Sequence, residues 1–140
     1  MTRGTLNIIL GNEIYSSVEF NGNMNPNSDM YGGVGINYLL KYTKDKKSFH
    51  NAIKKFLQDT FGVGAEDVTN FDGVEEDTLE NSEDLKNFCD SITSDYTYIL
   101  NKTKKIFKFQ DNEGTSVIFP PNTVLVWEFE GYYGIFDQPI

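Results

Sequence analysis

Eleven carboxylates crowd into thirty residues of this 140-residue chain: Glu66, Asp67, Asp72, Glu75, Glu76, Asp77, Glu80, Glu83, Asp84, Asp90 and Asp95. Lys86 is the one cation among them, so the segment from Glu66 to Asp95 carries −10 where the whole chain carries −9. The rest of the sequence is close to neutral, and the acidity is a local field. Such a field steers a basic partner and repels nucleic acid. Carboxylates and phosphates compete for the same Arg and Lys donors, so acids at this density can stand in for a phosphate backbone in the cleft of a protein that handles DNA or RNA. The first nine of them, Glu66 through Asp84, are the candidate partner contacts. The alternative is a solvated face that keeps the chain soluble while its like charges repel.

Other chemistry is sparse. Cys89 is the only cysteine and His50 the only histidine, so neither a disulfide nor a His/Cys zinc set can form. Asp72 and Gly73 precede Glu75, Glu76 and Asp77, but Asn70 and Val68 stand two and four residues before Asp72, which breaks a calcium-loop pattern. No metal and no cofactor is expected. Thr2 is the one nucleophile with a mechanism of its own: loss of Met1 would free an α-amine to act as base for the Thr2 hydroxyl. The bland reading of Thr2 is the ragged start of a strand. Cys89 falls on an apolar helix position, as a buried hydrophobe does.

Tyr31-Gly32-Gly33-Val34-Gly35 stands before a predicted helix, where amides and the helix dipole can hold an anion. It lacks the final glycine of a dinucleotide fingerprint and the Lys-Ser/Thr of a phosphate loop, so a tight turn is the competing reading. Lys41, Lys44, Lys46, Lys47, Lys54 and Lys55 form one basic strip, and Lys102, Lys104, Lys105 and Lys108 another. With Arg3 as the only arginine, these strips read as a counterweight to the acids and not as a nucleic-acid surface.

The elements that must carry these groups follow from periodicity. Thr5 to Leu10 and Ile14 to Phe20 are β-prone runs around Gly11-Asn12-Glu13, a hairpin. Asn21 to Asp29 reads as a loop. A short helix is predicted over Ile36 to Thr43. A longer one runs from about Ser48 to Phe61, with Phe49, Ala52, Ile53, Phe56, Leu57 and Phe61 on one face. Leu85, Phe88, Cys89 and Ile92 mark a third helix, capped by Asn81 or Ser82 with Glu83 and Asp84 in its first turn. Glu66 to Glu80, with Val68, Phe71, Val74 and Leu79 as its only anchors, reads as an exposed loop.

From Asp95 the period changes to two. Tyr96 to Leu100, Ile106 to Gln110, Ser116 to Phe119, Val124 to Phe129 and Tyr132 to Phe136 are predicted strands, and Pro120-Pro121 lies off any central ladder. The expectation is a single α+β domain over residues 1–140. Its antiparallel sheet follows a ββ-ααα-ββββ order, helices pack on one face, and the acidic loop and helix span 66–95. Phe49, Ile53, Phe56, Leu57, Leu85, Phe88 and Trp127 form its predicted core. No stretch approaches the ~18 apolar residues of a membrane span, which points to the cytoplasm. The Asn101-Lys102-Thr103 sequon has no meaning there.

At Thr2-Arg3-Gly4, the following hairpin, and Tyr31 to Gly35 leading into Ile36-Asn37-Tyr38-Leu39-Leu40, the chain resembles a group of small uncharacterised proteins of phages, bacteria and fungi. Those proteins open with Thr-Arg-Gly and carry a hairpin, a Tyr-Pro-x-Gly-x-Gly turn and a helix. Gly32 stands where they have proline. The resemblance covers about half the chain and implies this layout and a mobile-element origin; it names no reaction. The expected function is a non-enzymatic binding protein, phage-encoded, that blocks the basic cleft of a host nucleic-acid-handling or defence protein, working in the host cytoplasm without binding nucleic acid or membrane. An N-terminal-nucleophile hydrolase using Thr2, or a small-ligand binder using the glycine turn, are the alternatives.

Overall fold

The structure, a computed structural model, describes residues 3–17, 19–21, 24–26, 43–61, 75–129 and 131–137. β1 (Arg3–Leu10) turns at Gly11 and Asn12 into β2 (Glu13–Ser16), and β3 (Phe20–Asn21) returns to the start of β1. Gly11 has φ +59°, the left-handed region where a glycine carries no steric cost. Helix α1 (Lys46–Phe61), strand β4 (Glu75–Thr78) and helix α2 (Ser82–Ser91) follow. Then come β5 (Tyr96–Asn101), β6 (Phe107–Gln110), β7 (Ser116–Phe119), β8 (Thr123–Glu128) and β9 (Gly131–Asp137). All five strands predicted after Asp95 are present.

The fold is mixed α+β, with seven strands in one sheet of order β4-β2-β1-β5-β8-β9 and β3 also on β1; β6 and β7 form a separate hairpin. The expected all-antiparallel sheet is corrected at its centre, because β1 and β5 are parallel, with Leu6 opposite Tyr98 and Ile8 opposite Leu100. Parallel neighbours need a long crossover, and the helical block between these strands supplies it. Their sequences carry the same mark: Tyr96 to Asn101 is buried at every position, as for a strand covered on both faces.

The helices do not share a face, which is the second correction. Phe49, Ile53 and Phe56 of α1 pack with Leu6, Ile8, Tyr98, Leu100, Val124 and Val126. Leu85 and Cys89 of α2 pack with Ile9, Ile99, Leu125 and Trp127, joined by Phe107, Val117 and Phe119 of the hairpin. Successive strand residues point to opposite faces, so Ile8 and Ile9, or Val124 and Leu125, serve different layers. Two of the three predicted helices are described. The one placed over Ile36 to Thr43 lies outside the described residues except for Thr43. Glu75 to Thr78, expected as loop, is a strand, because β2 offers it an open edge.

Three polar side chains in the core, those of Asn7, Tyr98 and Asn101, bond to the backbone. The Asn7 amide nitrogen donates to the Tyr98 carbonyl at 2.9 Å, and the Tyr98 hydroxyl donates to the Met24 carbonyl. Buried Asn101 donates to the Lys105 carbonyl at 2.9 Å and accepts from the Thr103 amide at 2.9 Å, so the sequon asparagine shapes the turn after β5.

Candidate acidic interface

The described part of the acidic segment, from Glu75 on, is held to the sheet by its backbone. β4 pairs antiparallel with β2, placing Glu75 opposite Ser16, Glu76 opposite Tyr15, Asp77 opposite Ile14 and Thr78 opposite Glu13. At its end the Leu79 amide donates to the Asn12 carbonyl at 2.6 Å, and the Leu79 side chain is buried in the α2 layer. Three consecutive acids therefore occupy the outermost strand of the sheet. Nothing in Glu75-Glu76-Asp77-Thr78 signals this locally, since acids are depleted in strands.

From Leu79 the chain enters α2 through a capping box. The Asn81 side chain accepts from the Asp84 amide at 3.1 Å, while the Asp84 carboxylate accepts from the amides of Asn81 at 3.2 Å and Glu80 at 2.7 Å. Both partners satisfy amides that the first helical turn leaves open, and the negative charge suits the positive end of the helix dipole. Asp84 is thereby committed to the helix start. Glu80 and Glu83 are exposed beside it.

Other acids of the segment have structural partners. Asp90 accepts from Lys86 at 2.8 Å and from Asn112 at 3.1 Å. The bond to Asp90 is the main reason the Lys86 ammonium is held above its ordinary pKa, against the opposing effect of desolvation. Asp95 accepts the Arg3 amide at 2.7 Å, tying the start of β5 to the start of β1. Of the nine residues expected to meet a partner, Glu75, Glu76 and Asp77 lie on the edge strand, Glu80 and Glu83 are exposed, and Asp84 caps α2. Glu66, Asp67 and Asp72 lie outside the described residues.

The ground next to β4 is polar and aromatic. The Tyr15 hydroxyl donates to the Glu13 carboxylate at 2.5 Å, and that bond, with burial and the Glu13 charge behind it, raises the Tyr15 pKa. The Lys46 ammonium sits 5.3 Å from the centre of the Tyr15 ring, a cation–π contact that ties α1 to β2. Lys105 donates to the Asn12 side chain at 2.5 Å. Lys46 and Lys105 thus each tie two elements together.

The remaining candidates separate cleanly. Cys89 is 1% exposed, and burial pushes its thiol far above the ordinary value, so no thiolate is at hand. Thr2 and the Tyr31 to Gly35 turn lie outside the described residues. Among the described residues no group of three or more His, Cys, Asp or Glu side chains is placed to hold a metal ion, and no helix is long and apolar enough to cross a membrane.

Sequence reasoning missed Asp111. Its carboxylate accepts from the amides of Thr115 at 2.7 Å, Glu113 at 2.9 Å and Tyr132 at 3.4 Å, joining the β6–β7 turn to β9. Burial works to raise its pKa, but the three amides outweigh burial and hold the carboxyl below its ordinary range. Asp111-Asn112-Glu113-Gly114 between two β runs was the available signal. Compared with protein-family models, curated proteins and solved structures, the chain matches none.

Proposed function

We propose that the protein is a non-enzymatic binding module whose acidic edge, β4 and the start of α2, enters the basic cleft of another protein. The observation that carries this reading is the placement of Glu75, Glu76 and Asp77 on the outermost strand, with exposed Glu80 and Glu83 just beyond. Pairing with β2 fixes the backbone positions of these three acids, so less backbone entropy is lost on binding than for a flexible acidic loop. The partner class is a protein that handles nucleic acid or defends a host against mobile elements, because such clefts hold the Lys and Arg that carboxylates can occupy. The mobile-element origin rests on the resemblance of the opening segment.

The experiment is capture from a host lysate on immobilised full-length protein, beside a variant with Glu75, Glu76, Asp77 and Glu80 all changed to Ala. A true partner is retained by the parent and lost by the variant, and its affinity falls steeply between about 50 and 200 mM salt. A partner that ignores both changes removes the acidic edge from the mechanism.

A further inference from the structure

We propose that the interior of the sheet binds an ordered water between β1, β5 and β8, held by Asn7, Thr97 and Trp127. These side chains belong to one face. Thr5 of β1 lies opposite Thr97 of β5, and Thr97 lies opposite Trp127 of β8, so a row crosses three adjacent strands. Asn7 follows Thr5 by two residues and shares its face. That face is the α2 side, because Ile9, Ile99 and Leu125, which alternate in step with these residues, pack there together with Trp127.

Hydrogen bonding is left incomplete along this row. Asn7 and Thr97 are 0% exposed and Trp127 is 1% exposed. The Asn7 Oδ1, the Thr97 hydroxyl and the Trp127 Nε1 are each buried without a hydrogen-bond partner among the described residues. Turning the Asn7 amide round does not mend this. Its nitrogen donates to the Tyr98 carbonyl at 2.9 Å and to the Thr5 hydroxyl at 3.2 Å, and reversal would set Oδ1 against the carbonyl oxygen. Buried polar groups as a rule have a partner, and each one left without costs its full desolvation. Three such atoms gathered on one face point to one shared partner. Thr43 and Ser94 also carry unpaired buried hydroxyls, but both lie outside the strands.

Chemistry selects water as that partner. The Trp127 N–H only donates, the Asn7 Oδ1 only accepts, and the Thr97 hydroxyl does either. An anion would meet Oδ1 with like polarity, a cation would meet the indole N–H, and the row has no charged side chain to offset the burial of an ion. Water donates and accepts at once and needs two to four polar partners, which this row supplies. Residues side by side or diagonal on adjacent strands have Cβ atoms about 5–8 Å apart, a gap that a bridging water spans. A larger guest would need an opening that side chains at 0–1% exposure do not offer. The bridge links the parallel pair β1 and β5 to β8 across the centre of the sheet.

Magnetic resonance of the full chain tests this. Trp127 is the only tryptophan, so its indole proton gives a single resonance. A long-lived water there should give cross-peaks from the solvent signal to that proton with opposite signs in laboratory-frame and rotating-frame spectra, a pattern that neither chemical exchange nor fleeting surface hydration produces. Thr97→Val should melt about 2–4 °C below the parent, because the hydroxyl's bond to water is lost while the other members of the network stay polar. A dry row predicts the reverse, since exchanging an unpaired hydroxyl for a methyl of similar shape gains stability. The water site and the acidic edge stand or fall separately: the variant with Glu75, Glu76, Asp77 and Glu80 changed to Ala should keep the cross-peaks. A parent protein without them, or a Thr97→Val protein that melts at or above the parent, overturns the inference.

Discussion

Gly4 is the most tightly packed of the described glycines. It pairs with Phe20 of β3 on one side and Tyr96 of β5 on the other, and Met24 lies across it. A Cβ there would stand 2.7 Å from the Met24 Cβ and 3.0 Å from the Tyr96 carbonyl, neither of which can yield cheaply. Gly4→Ala is expected to cost about 1–3 kcal/mol in urea unfolding, as overpacked cores do. Asp111 is a residue of the opposite kind, a buried acid whose charged form the fold prefers. Its folded pKa is depressed, so its contribution to stability is complete above the unfolded value near ~3.9 and is lost as pH falls through the lower folded value. Asp111→Ala should therefore unfold more easily than the parent at neutral pH, with the gap between their melting temperatures closing below about pH 3.9.

At the scale of elements, each helix starts where a polar side chain meets open amides. For α1 the Ser48 amide donates to the Asp45 carboxylate at 2.8 Å and the Asp45 amide donates to the Ser48 hydroxyl at 2.8 Å, so the helix begins at Lys46, two residues before the predicted start. For α2 the Asn81 and Asp84 box does this work, and it also fixes the direction in which exposed Glu80 and Glu83 leave the sheet edge. Asn81→Ala is expected to cost about 1 kcal/mol of stability, measured by thermal unfolding. It should also weaken capture of an acidic-edge partner, whereas Asp90→Asn, at the far end of the same helix, should leave capture unchanged.

Across the whole molecule, charge and topology oppose each other. The sheet binds residues far apart in sequence, with Gly4 opposite Tyr96 and Ile9 opposite Asn101, so its centre cannot form until the intervening chain has closed a long loop. Meanwhile the segment from Glu66 to Asp95 carries eleven like charges, which repel wherever the fold holds them within a screening length. Added salt should raise the melting temperature of the protein by screening that repulsion, and the variant lacking Glu75, Glu76, Asp77 and Glu80 should respond less to the same salt. A parent melting temperature insensitive to salt would show that the acids are spaced widely enough to be harmless.

Local periodicity carried much of the fold. The two helices and the five late strands are legible because an apolar stripe repeats at 3.6 and an apolar face at two whatever lies elsewhere in the chain. Phe49, Ile53, Phe56, Leu85 and Trp127 are buried as their spacing implies, and Phe88 is half-buried on the flank of its helix; the Leu57 side chain lies outside the described set. The acids were visible as charge. Their presentation was not, because whether Glu75 to Asp77 form a strand depends on the open edge of β2, some sixty residues earlier, and not on their own weak β-propensity. The parallel pairing of β1 with β5 and the division of α1 and α2 between opposite faces were hidden for the same reason. A strand's sequence records which of its faces are buried, but not which strand lies beside it or which helix covers it. Those choices are settled when the chain closes on itself and every apolar face must find a partner at once.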